Sequence, residues 1–320
     1  MVERLGPPLD EPIFDELAIV GAGLIGSSLA RAARKRNAAR RIVLADHSAE
    51  TLARAEALKL GDEATKNVAK AAETADCVVL CAPVGATESI GRNIAPALKT
   101  GAIVTDVGSV KAAVIAALKP LLPPHAHLVP AHPVAGTEQS GPDAGFAGLF
   151  VNRWCILTPP SGADDGAIKK VRALWEAVGS NVEIMSAEHH DLVLAITSHV
   201  PHLIAYNIVG TAADLEEVTQ SEVIKFSAGG FRDFTRIAAS DPTMWRDVFL
   251  HNKDAVLEML GRFNEDLTAL QRMIRREDGD GLFALFTRTR AIRLGIVALG
   301  QETHAPDFGR PRADGNGQGS

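Results

Sequence analysis

In the first half of the chain, short apolar runs alternate with stretches whose apolar positions have helical spacing. Seven runs have the length and composition of buried strands; they cover residues 17–23, 41–46, 76–83, 102–109, 127–133, 154–160 and 181–185. Helical spacing is clearest over 25–36 and 167–179. Strands and helices that alternate in this way form a parallel sheet covered on both faces. We therefore predict a doubly wound, mostly parallel α/β domain.

The pattern changes near Ser186. From there to about residue 300 almost only helical periodicity remains, over 188–213, 216–224, 242–274 and 281–298. The change predicts an α/β domain over 14–187, followed by an all-α domain over 188–300. Residues 301–320 are rich in glycine and polar side chains, a composition that predicts a disordered tail.

One part of the helical half is apolar enough to resemble a membrane span. Residues 192–210 contain two histidines, a proline, a serine and an asparagine, and they have no basic flank. These features favour a helix buried in protein over one that faces lipid.

Composition and charge narrow the class of protein. The 320 residues have a net charge of −6, and no lysine and arginine cluster stands alone, which disfavours nucleic acid as a partner. The three cysteines form an odd set without metal-ligand spacing, and the N-terminus lacks the features of a signal peptide. We expect a cytoplasmic protein without a metal site.

The first strand runs into a glycine-rich turn. In "LAIVGAGLIGSSLA", Gly21, Gly23 and Gly26 form the pattern GxGxxG between a strand and a helix. The first glycine allows a tight turn, the second a close approach to a pyrophosphate, and the third close packing of the helix on the strand. The free N–H groups of the helix start, around Leu24 and Ile25, would bind the phosphates. This context predicts a Rossmann-type dinucleotide site.

An acidic residue follows at the expected distance. Asp46 ends the next strand, about twenty residues after the last glycine, where a carboxylate would bind the ribose hydroxyls of the adenosine. It would also repel a 2′-phosphate, so we predict NAD rather than NADP. Ala82 and Pro83 end another strand at the same edge and are predicted to border the cofactor. The alternative, a plain glycine turn with a surface aspartate, is disfavoured by the complete strand–turn–helix context.

Two further strand ends carry polar side chains. Ser109 lies in "TDVGSVK" and His132 in "PAHPVAGTE". Ser109 could be catalytic or could be the N-cap of a helix over 110–118, and the two interpretations are compatible. A histidine between apolar neighbours is most often a satisfied core residue. A strand end beside the predicted nicotinamide instead favours a catalytic role for His132.

The helical half adds a histidine-rich segment, "SHVPHLIA". Ser198 and His202 are four residues apart and share one helix face, whereas His199 is predicted to point elsewhere. Pro201 is expected to kink the helix and free a carbonyl.

A second polar segment follows in "GGFRDFTRIAASDPTMWRD". Arg232 and Arg236 lie one turn apart, with Asp233 between them. From the residues alone, an ordinary surface pair is the favoured interpretation of Arg236.

Taken together, these segments resemble the prephenate/arogenate (cyclohexadienyl) dehydrogenase family of tyrosine biosynthesis. The resemblance is carried by "VGAGLIGSSLA", "DVGSVK", "HPVAGTE", "EHHDLVLAITSHVPHLIA" and "GGFRDFTRIAASDPTMWRD", which lie in order over residues 17 to 255. It implies a Rossmann domain followed by an all-helical dimerisation domain. It also implies oxidative decarboxylation of prephenate or arogenate with hydride transfer to NAD, in a homodimer.

The resemblance also implies roles for individual residues. His132 would be the general base for the ring hydroxyl, and Ser109 would orient that hydroxyl. Arg236 would hold the ring carboxylate, and Ser198 and His202 would face the substrate side chain. Further residues would surround the site or lie near the subunit contact; they are Thr137, Glu138, Gly229, Arg232, Asp233 and Trp245.

A neutral base implies a rate that rises with pH. We expect an apparent pKa of about 6.5, lower if Arg236 or Arg232 lies close to His132. No spacing rule separates prephenate from arogenate, although Glu138 and Asp233 are candidates to favour an ammonium group.

Two other classes of protein remain as alternatives. A β-hydroxyacid dehydrogenase or a pyrroline-5-carboxylate reductase would share the two-domain plan. The former would need a catalytic lysine, for which Lys225 is the early candidate. A non-catalytic NAD-binding sensor is disfavoured because His132, Ser109 and Arg236 are all present.

Overall fold

The computed structural model describes residues 5–219 and 228–298 of the chain. Three sequence predictions fall wholly or partly on the remaining residues. The predicted tail over 301–320 and the candidate Lys225 lie outside the described residues, as does most of the predicted helix over 216–224.

Six parallel strands form the main sheet, in the order β3-β2-β1-β4-β5-β6. They are β1 (Phe14–Val20), β2 (Ala39–Ala45), β3 (Glu63–Thr65), β4 (Cys77–Leu80), β5 (Ile103–Asp106) and β6 (His127–Leu128). The strand order reverses between β1 and β4, so ligands are expected in the crevice outside the carboxyl ends of these two strands. The predicted doubly wound α/β class is confirmed.

A second, three-stranded sheet follows, made of β7 (Ala131–Pro133), β8 (Trp154–Leu157) and β9 (Asn181–Ile184). Strands β7 and β8 are antiparallel, and β8 and β9 are parallel. The prediction of one strand over 127–133 is therefore wrong, since this run contributes β6 to one sheet and β7 to the other. Pro130 separates them; it has no N–H for a ladder, and its carbonyl accepts a bond from the Thr158 N–H at 2.9 Å.

Strand β3 was missed by the sequence prediction. It has only three residues, Glu63–Thr65, all of them half-buried. Its sequence contains no apolar run, so the signal that marks the other parallel strands is absent.

The helices of the first half cover both faces of the main sheet. They are α1 (Leu24–Arg36), α2 (Ala49–Ala57), α3 (Val68–Glu73), α4 (Thr87–Ile94), α5 (Ala112–Leu118) and α6 (Asp165–Ala177). One core lies between the sheet and α1 and α6, and includes Leu29 and Trp175. The other lies on the side of α3 to α5, and includes Ile94 and Leu118.

The second half of the described chain is helical, as predicted. Its helices are α7 (Ala187–Leu194), α8 (Val200–Thr219), α9 (Gly229–Thr235), α10 (Pro242–His251), α11 (Lys253–Arg275) and α12 (Gly279–Ala298). Trp245 and Val248 of α10 are buried in the core on the α3 to α5 side of the sheet. This contact joins the helical half to the α/β half.

Two predicted long helices are interrupted. The one over 188–213 contains a π-helical turn over Ala195–His199, which ends two residues before Pro201. A π turn is a frequent irregularity at functional sites, and here it carries Ser198 and His199. The predicted helix over 242–274 ends at Asn252 (φ −110°, ψ 30°), where a new helix begins.

The apolar segment that resembles a membrane span is only partly buried by the described part of the chain. The helical stretch Ala187–Asp214 is long and apolar enough to span a membrane, and 28% of its most apolar window is buried. Large apolar side chains are exposed along it, including Leu192, Ile196 and Ile208. The described residues of a single chain therefore do not bury this helix in the way that the sequence analysis predicted.

Candidate functional site

The glycine turn after β1 has the geometry of a phosphate-binding loop. Gly21 has φ +102°, and a Cβ there would lie 2.3 Å from the Cys81 carbonyl oxygen. A Cβ on Gly26 would lie 1.9 Å from the Gly21 carbonyl oxygen, whereas a Cβ on Gly23 would meet nothing within 4 Å. Gly23 is the N-cap of α1 and provides no side-chain bond, so the first N–H groups, at Leu24 and Ile25, have no side-chain cap. The open side at Gly23 fits a dinucleotide pyrophosphate.

Asp46 lies at the same edge, directly after β2. Its Oδ2 accepts a bond from the Ala22 N–H and its Oδ1 one from the Ser48 N–H, both at 2.9 Å. These bonds hold the carboxylate beside the glycine turn. Ala82 and Pro83 follow β4 and are at least partly exposed. The structure thus brings together the predicted cofactor residues around the crevice between β1 and β4.

Ser109 lies half-buried in the turn after β5. Helix α5 begins at Ala112, and its N-cap is Lys111, which provides no side-chain bond. The interpretation of Ser109 as a helix N-cap is therefore wrong, because the helix begins three residues later. The Ser109 hydroxyl is not committed to capping this helix.

The start of α5 is capped instead by a carboxylate from the helical half. Asp191 of α7 accepts the Lys111 N–H at Oδ1 (2.8 Å) and the Ala112 N–H at Oδ2 (2.9 Å). Its side chain is nearly fully buried. An ionised carboxylate at a helix N-terminus is favourable, so this contact fixes α7 against the end of β5.

A buried ion pair lies behind the same turn. The fully buried Lys111 ammonium contacts Asp106 of β5 and donates to the Ala131 carbonyl at 2.8 Å. Asp106 also accepts the Ala131 N–H (3.2 Å) and the Gly108 N–H (2.8 Å). Burial lowers the pKa of Lys111, and the attraction of Asp106 and Asp191 opposes this. The pair ties the end of β5 to the strand that carries His132.

His132 lies in β7 with 7% of its surface exposed. Its Nδ1 lies 2.8 Å from Nε2 of His190, and Nδ1 of His190 lies 2.8 Å from Oδ1 of Asp191. Burial lowers the pKa of His132 well below its usual value, and His190, Lys111 and His199 lower it further. His132 is therefore neutral near pH 7, the state that a general base requires.

The cause of this pKa shift differs from the sequence expectation. From the sequence we expected a pKa of His132 below about 6.5 if Arg236 or Arg232 lies close to it. The structure assigns the shift to burial and to other neighbours. Arg236 instead lowers the pKa of His202, where burial is again the largest cause.

His202 is held between two contacts on α8. Its Nδ1 lies 2.8 Å from the Ser198 carbonyl oxygen, and its ring stacks on Trp245 with centroids 3.6 Å apart. The backbone of Ser198 therefore fixes the ring, while the Ser198 side chain stays half-buried. Trp245, which the resemblance places near the subunit contact, is buried within its own chain and supports His202.

Arg236 connects the two halves of the molecule. Its Nη1 lies 3.1 Å from Oε2 of Glu138, in the loop that follows His132. Arg232 pairs with Asp233 instead, at 3.2 Å, and both of these side chains are largely exposed. The local surface pair is therefore found at Arg232, whereas Arg236 forms an ion pair with Glu138 of the other half.

The contacts of Thr137 and Gly229 say less about their roles. The Thr137 hydroxyl accepts the Gln139 N–H at 3.2 Å within the same loop. Gly229 is exposed at the start of α9, and a Cβ there would meet only Arg232, at 3.8 Å, among the described residues. No contact of Gly229 in the described part of the chain requires a glycine.

Several residues of this site were missed by the sequence analysis. His199, expected to point elsewhere, is fully buried; its Nδ1 lies 3.1 Å from Nδ2 of Asn252, which donates to the Asp191 carbonyl. Burial lowers the pKa of His199 to about 4. His190 and Asp191 are also buried here, and their adjacency in "EHHD" was the available signal. The sequence contained no signal for the burial of Lys111, because a lysine next to a strand end is normally exposed.

Comparisons with known proteins agree with this arrangement. Residues 29–184 match the family described as the prephenate dehydrogenase nucleotide-binding domain. Residues 186–288 match the prephenate dehydrogenase dimerization domain. The chain belongs to the prephenate dehydrogenase family. The resemblance inferred from the sequence motifs is thereby confirmed.

Individual relatives of this family match over nearly their whole length. The cyclohexadienyl dehydrogenase of Zymomonas mobilis is 45% identical over 89% of this chain and 97% of its own. The prephenate dehydrogenase of Bacillus subtilis is 34% identical over 92% of this chain and 79% of its own. The crystal structure of the A. aeolicus prephenate dehydrogenase, in complex with hydroxyphenyl propionate and NAD⁺, has a TM-score of 0.83 at 36% identity. That match covers 88% of this chain and 98% of that one.

Proposed function

We propose that this protein is an NAD-dependent dehydrogenase of tyrosine biosynthesis. It oxidises and decarboxylates prephenate, arogenate or both, and forms 4-hydroxyphenylpyruvate, tyrosine or both. Family membership supports the reaction class. The observation that carries the assignment to this site is the neutral, buried His132. Its strand is tied to the end of β5 through Lys111 and Asp106, and the loop that follows it carries Glu138, which contacts Arg236 of the helical half.

The proposed chemistry divides between the cofactor and the protein. NAD⁺, when bound, accepts the hydride of the hydroxyl-bearing ring carbon. His132 takes the hydroxyl proton, and Arg236 holds the ring carboxylate until it leaves as CO₂. Ser109 orients the hydroxyl. The ring becomes aromatic, which makes the reaction effectively irreversible, so the protein needs chiefly to position the substrate and remove a proton.

We propose that Arg236 binds the substrate by exchanging Glu138 for the ring carboxylate. Its guanidinium pairs with Glu138, and both side chains are partly exposed, at 39% and 35%. An exposed ion pair is worth about 1 kcal/mol or less, so a substrate carboxylate can replace Glu138 at low cost. Ser198 and His202 would then face the substrate side chain. Thr137, Glu138, Gly229, Arg232 and Asp233 would lie around it.

The cofactor assignment extends to individual groups. The glycine turn would hold the pyrophosphate, and Asp46 would bind the adenosine ribose. Its carboxylate already lies within 3 Å of two loop N–H groups. A ribose 2′-phosphate there would meet this negative charge, which supports NAD over NADP. Ala82 and Pro83 would border the cofactor at the end of β4.

We place the domains at 14–187 and 188–300 and propose a homodimer formed through the second. Two observations support the dimer. The helical region matches a family described as a dimerization domain. Its helices expose large apolar side chains that the described part of one chain leaves uncovered, among them Leu257, Ile274, Phe283 and Ile292. Such a surface is typical of an interface between subunits. We further propose that the enzyme is cytoplasmic.

The test is NADH formation by the purified protein. Prephenate and arogenate are each offered with NAD⁺ and with NADP⁺. Turnover of at least one substrate with NAD⁺ supports the proposal, and the ratio of kcat/KM values gives the substrate preference. Absence of turnover with all four pairs, by protein that still binds NAD⁺ in calorimetry, would overturn it in favour of an NAD-binding sensor.

A further inference from the structure

A chain of three buried side chains leads away from the proposed base. Asp191, His190 and His132 are joined by two contacts of 2.8 Å each. His132 comes from the α/β half, and the other two come from α7 at the start of the helical half. His190 lies between the other two side chains, and neither His190 nor Asp191 has been given a role in the proposed reaction.

The direction of each hydrogen bond follows from the chemistry of the groups. An ionised carboxylate only accepts, so Nδ1 of His190 must donate to Asp191. Burial lowers the pKa of His190, which makes its ring neutral near pH 7. Its Nε2 therefore has a free lone pair and must accept. Nδ1 of His132 then carries the proton and donates to His190. This leaves Nε2 of His132 as the unprotonated nitrogen.

That nitrogen is also the one left open. Among the described residues, Nε2 of His132 has no hydrogen-bond partner, whereas both ring nitrogens of His190 are engaged. A base must offer a lone pair to the substrate, so the tautomer set by His190 is the productive one.

Charged groups are buried around the two rings. They are two carboxylates, Asp106 and Asp191, and one ammonium, Lys111. Burial, followed by His190, Lys111 and His199, lowers the pKa of His132, so the ring is neutral before it takes a proton.

We propose that His190 and Asp191 are positioning residues that hold His132 with its proton on Nδ1 and its lone pair on Nε2. The inference rests on the proposed function. In the proton-transfer step, the substrate O–H bond breaks and an N–H bond forms at Nε2 of His132. The Nδ1 proton stays in place, and its bond to His190 spreads the new positive charge toward Asp191. Neither His190 nor Asp191 touches the substrate.

Two substitutions at His190 separate this role from simple packing. A glutamine amide reaches about as far as Nε2 of a histidine, so His190→Gln can still accept the His132 Nδ1 proton. An asparagine amide reaches only as far as Nδ1, so His190→Asn keeps the contact with Asp191 and loses the one with His132. His189, an exposed neighbour on the same helix, provides the matched control His189→Gln. Asp191 is avoided because it also caps α5.

The first readout does not depend on activity. Nitrogen-15 NMR of histidine-labelled protein reports which ring nitrogen carries the proton, and His132→Asn identifies the His132 signals. We expect the Nδ1–H tautomer in the wild type, His189→Gln and His190→Gln. In His190→Asn the Nε2–H form should become populated. An Nε2–H tautomer in the wild type would overturn the inference even if the enzyme turns over as proposed.

The second readout is kinetic. His190→Asn should lower kcat by about 10–100-fold, which is part of the rate enhancement that a general base provides. KM should stay within about twofold of the wild-type value. His190→Gln should restore most of the loss. Equal losses in both variants, with the wild-type tautomer and melting temperature retained, would show that His190 only packs. Since the NMR result stands without turnover, failure of the inference and failure of the proposed function are distinguishable.

Discussion

Two regions of this molecule differ in the groups that carry their charge. We call the glycine turn with Asp46 the nucleotide edge, and the buried cluster around His132 the catalytic edge. At the nucleotide edge, the groups that would meet the negative pyrophosphate are backbone N–H groups of the glycine turn, on the open side at Gly23. At the catalytic edge, Lys111, Asp106, Asp191 and His190 are side chains withdrawn from water. The first edge needs no titratable group to bind an anion. The second removes titratable groups from solvent, and burial lowers the pKa values of Lys111 and His190.

The difference also concerns how each edge is assembled. The nucleotide edge comes from one β-α-β segment, with Ala22 and Asp46 24 residues apart. The catalytic edge joins His132 to His190 across 58 residues and Lys111 to Asp191 across 80. If His132 is the base as proposed, the chemistry depends on the contact between the two halves, whereas the proposed cofactor residues all lie in the first half. Substitutions at the two edges should separate the two functions.

The largest effect is expected at the base. His132→Asn should lower kcat by about 10²–10⁴-fold, because the hydroxyl proton loses its acceptor. The affinity for NAD⁺, measured by calorimetry, should stay unchanged, since the nucleotide edge is intact. A loss of NAD⁺ affinity together with kcat would mean that the two edges are not independent.

The next effect is expected in the glycine turn. Gly26→Ala places a Cβ 1.9 Å from the Gly21 carbonyl oxygen. The clash should lower the free energy of unfolding by about 1–3 kcal/mol or more, as overpacking does, and weaken NAD⁺ binding. Gly23→Ala is the control; its backbone has φ −70° and its Cβ meets nothing within 4 Å. It should weaken NAD⁺ binding in calorimetry while the urea midpoint stays unchanged. An equal loss of stability in both variants would contradict the assignment.

A smaller effect is expected where the two halves meet over the substrate. Arg236→Gln should raise the substrate KM by about 10–100-fold, since a charge-assisted bond to a carboxylate is worth about 1.5–3 kcal/mol. Arg232→Gln, which removes a side chain paired with Asp233, should change KM by less than about threefold. Steady-state kinetics with saturating NAD⁺ compares the two. The reverse order would transfer the carboxylate-binding role to Arg232.

The smallest effect is expected in the pH dependence of kcat/KM. The pKa of His132 is lowered by burial first, so kcat/KM should be flat above pH 7 and fall only at pH values below the usual histidine pKa of about 6.5. A midpoint at or above pH 6.5 would show that the base is not buried as described.

The free energy of unfolding should also depend on pH through the buried histidines. The folded protein keeps His132, His190 and His199 neutral, whereas the unfolded chain takes up protons below about pH 6.5. The unfolded state then binds more protons, so stability is full above about pH 6.5 and is lost as the pH falls toward the folded pKa values, about 4 for His199. Melting temperatures in buffers between pH 7.5 and pH 4.5 test the direction. His199→Asn should reduce the slope.

Much of this arrangement could be predicted from local patterns. The strand–turn–helix context identified Gly21, Gly23, Gly26 and Asp46, because each requirement is met within one β-α-β unit. His132 and Arg236 were singled out by their place in motifs. The ion-pair partner of Arg236 could not be predicted from the residues next to it in the sequence. Its contact with Glu138 spans 98 residues.

The sequence by itself determined the class of the fold, the nucleotide edge and the family, because these depend on periodicity and on residues close together in the chain. Only the tertiary structure decided which histidine accompanies the base. His190 and His199 are both buried, yet only His190 contacts His132. It also decided that Asp191, rather than Ser109, caps α5. These outcomes depend on how α7 packs against the end of β5. Burial at that contact lowers the pKa values of His190 and His199, which residues close in the chain could not reveal.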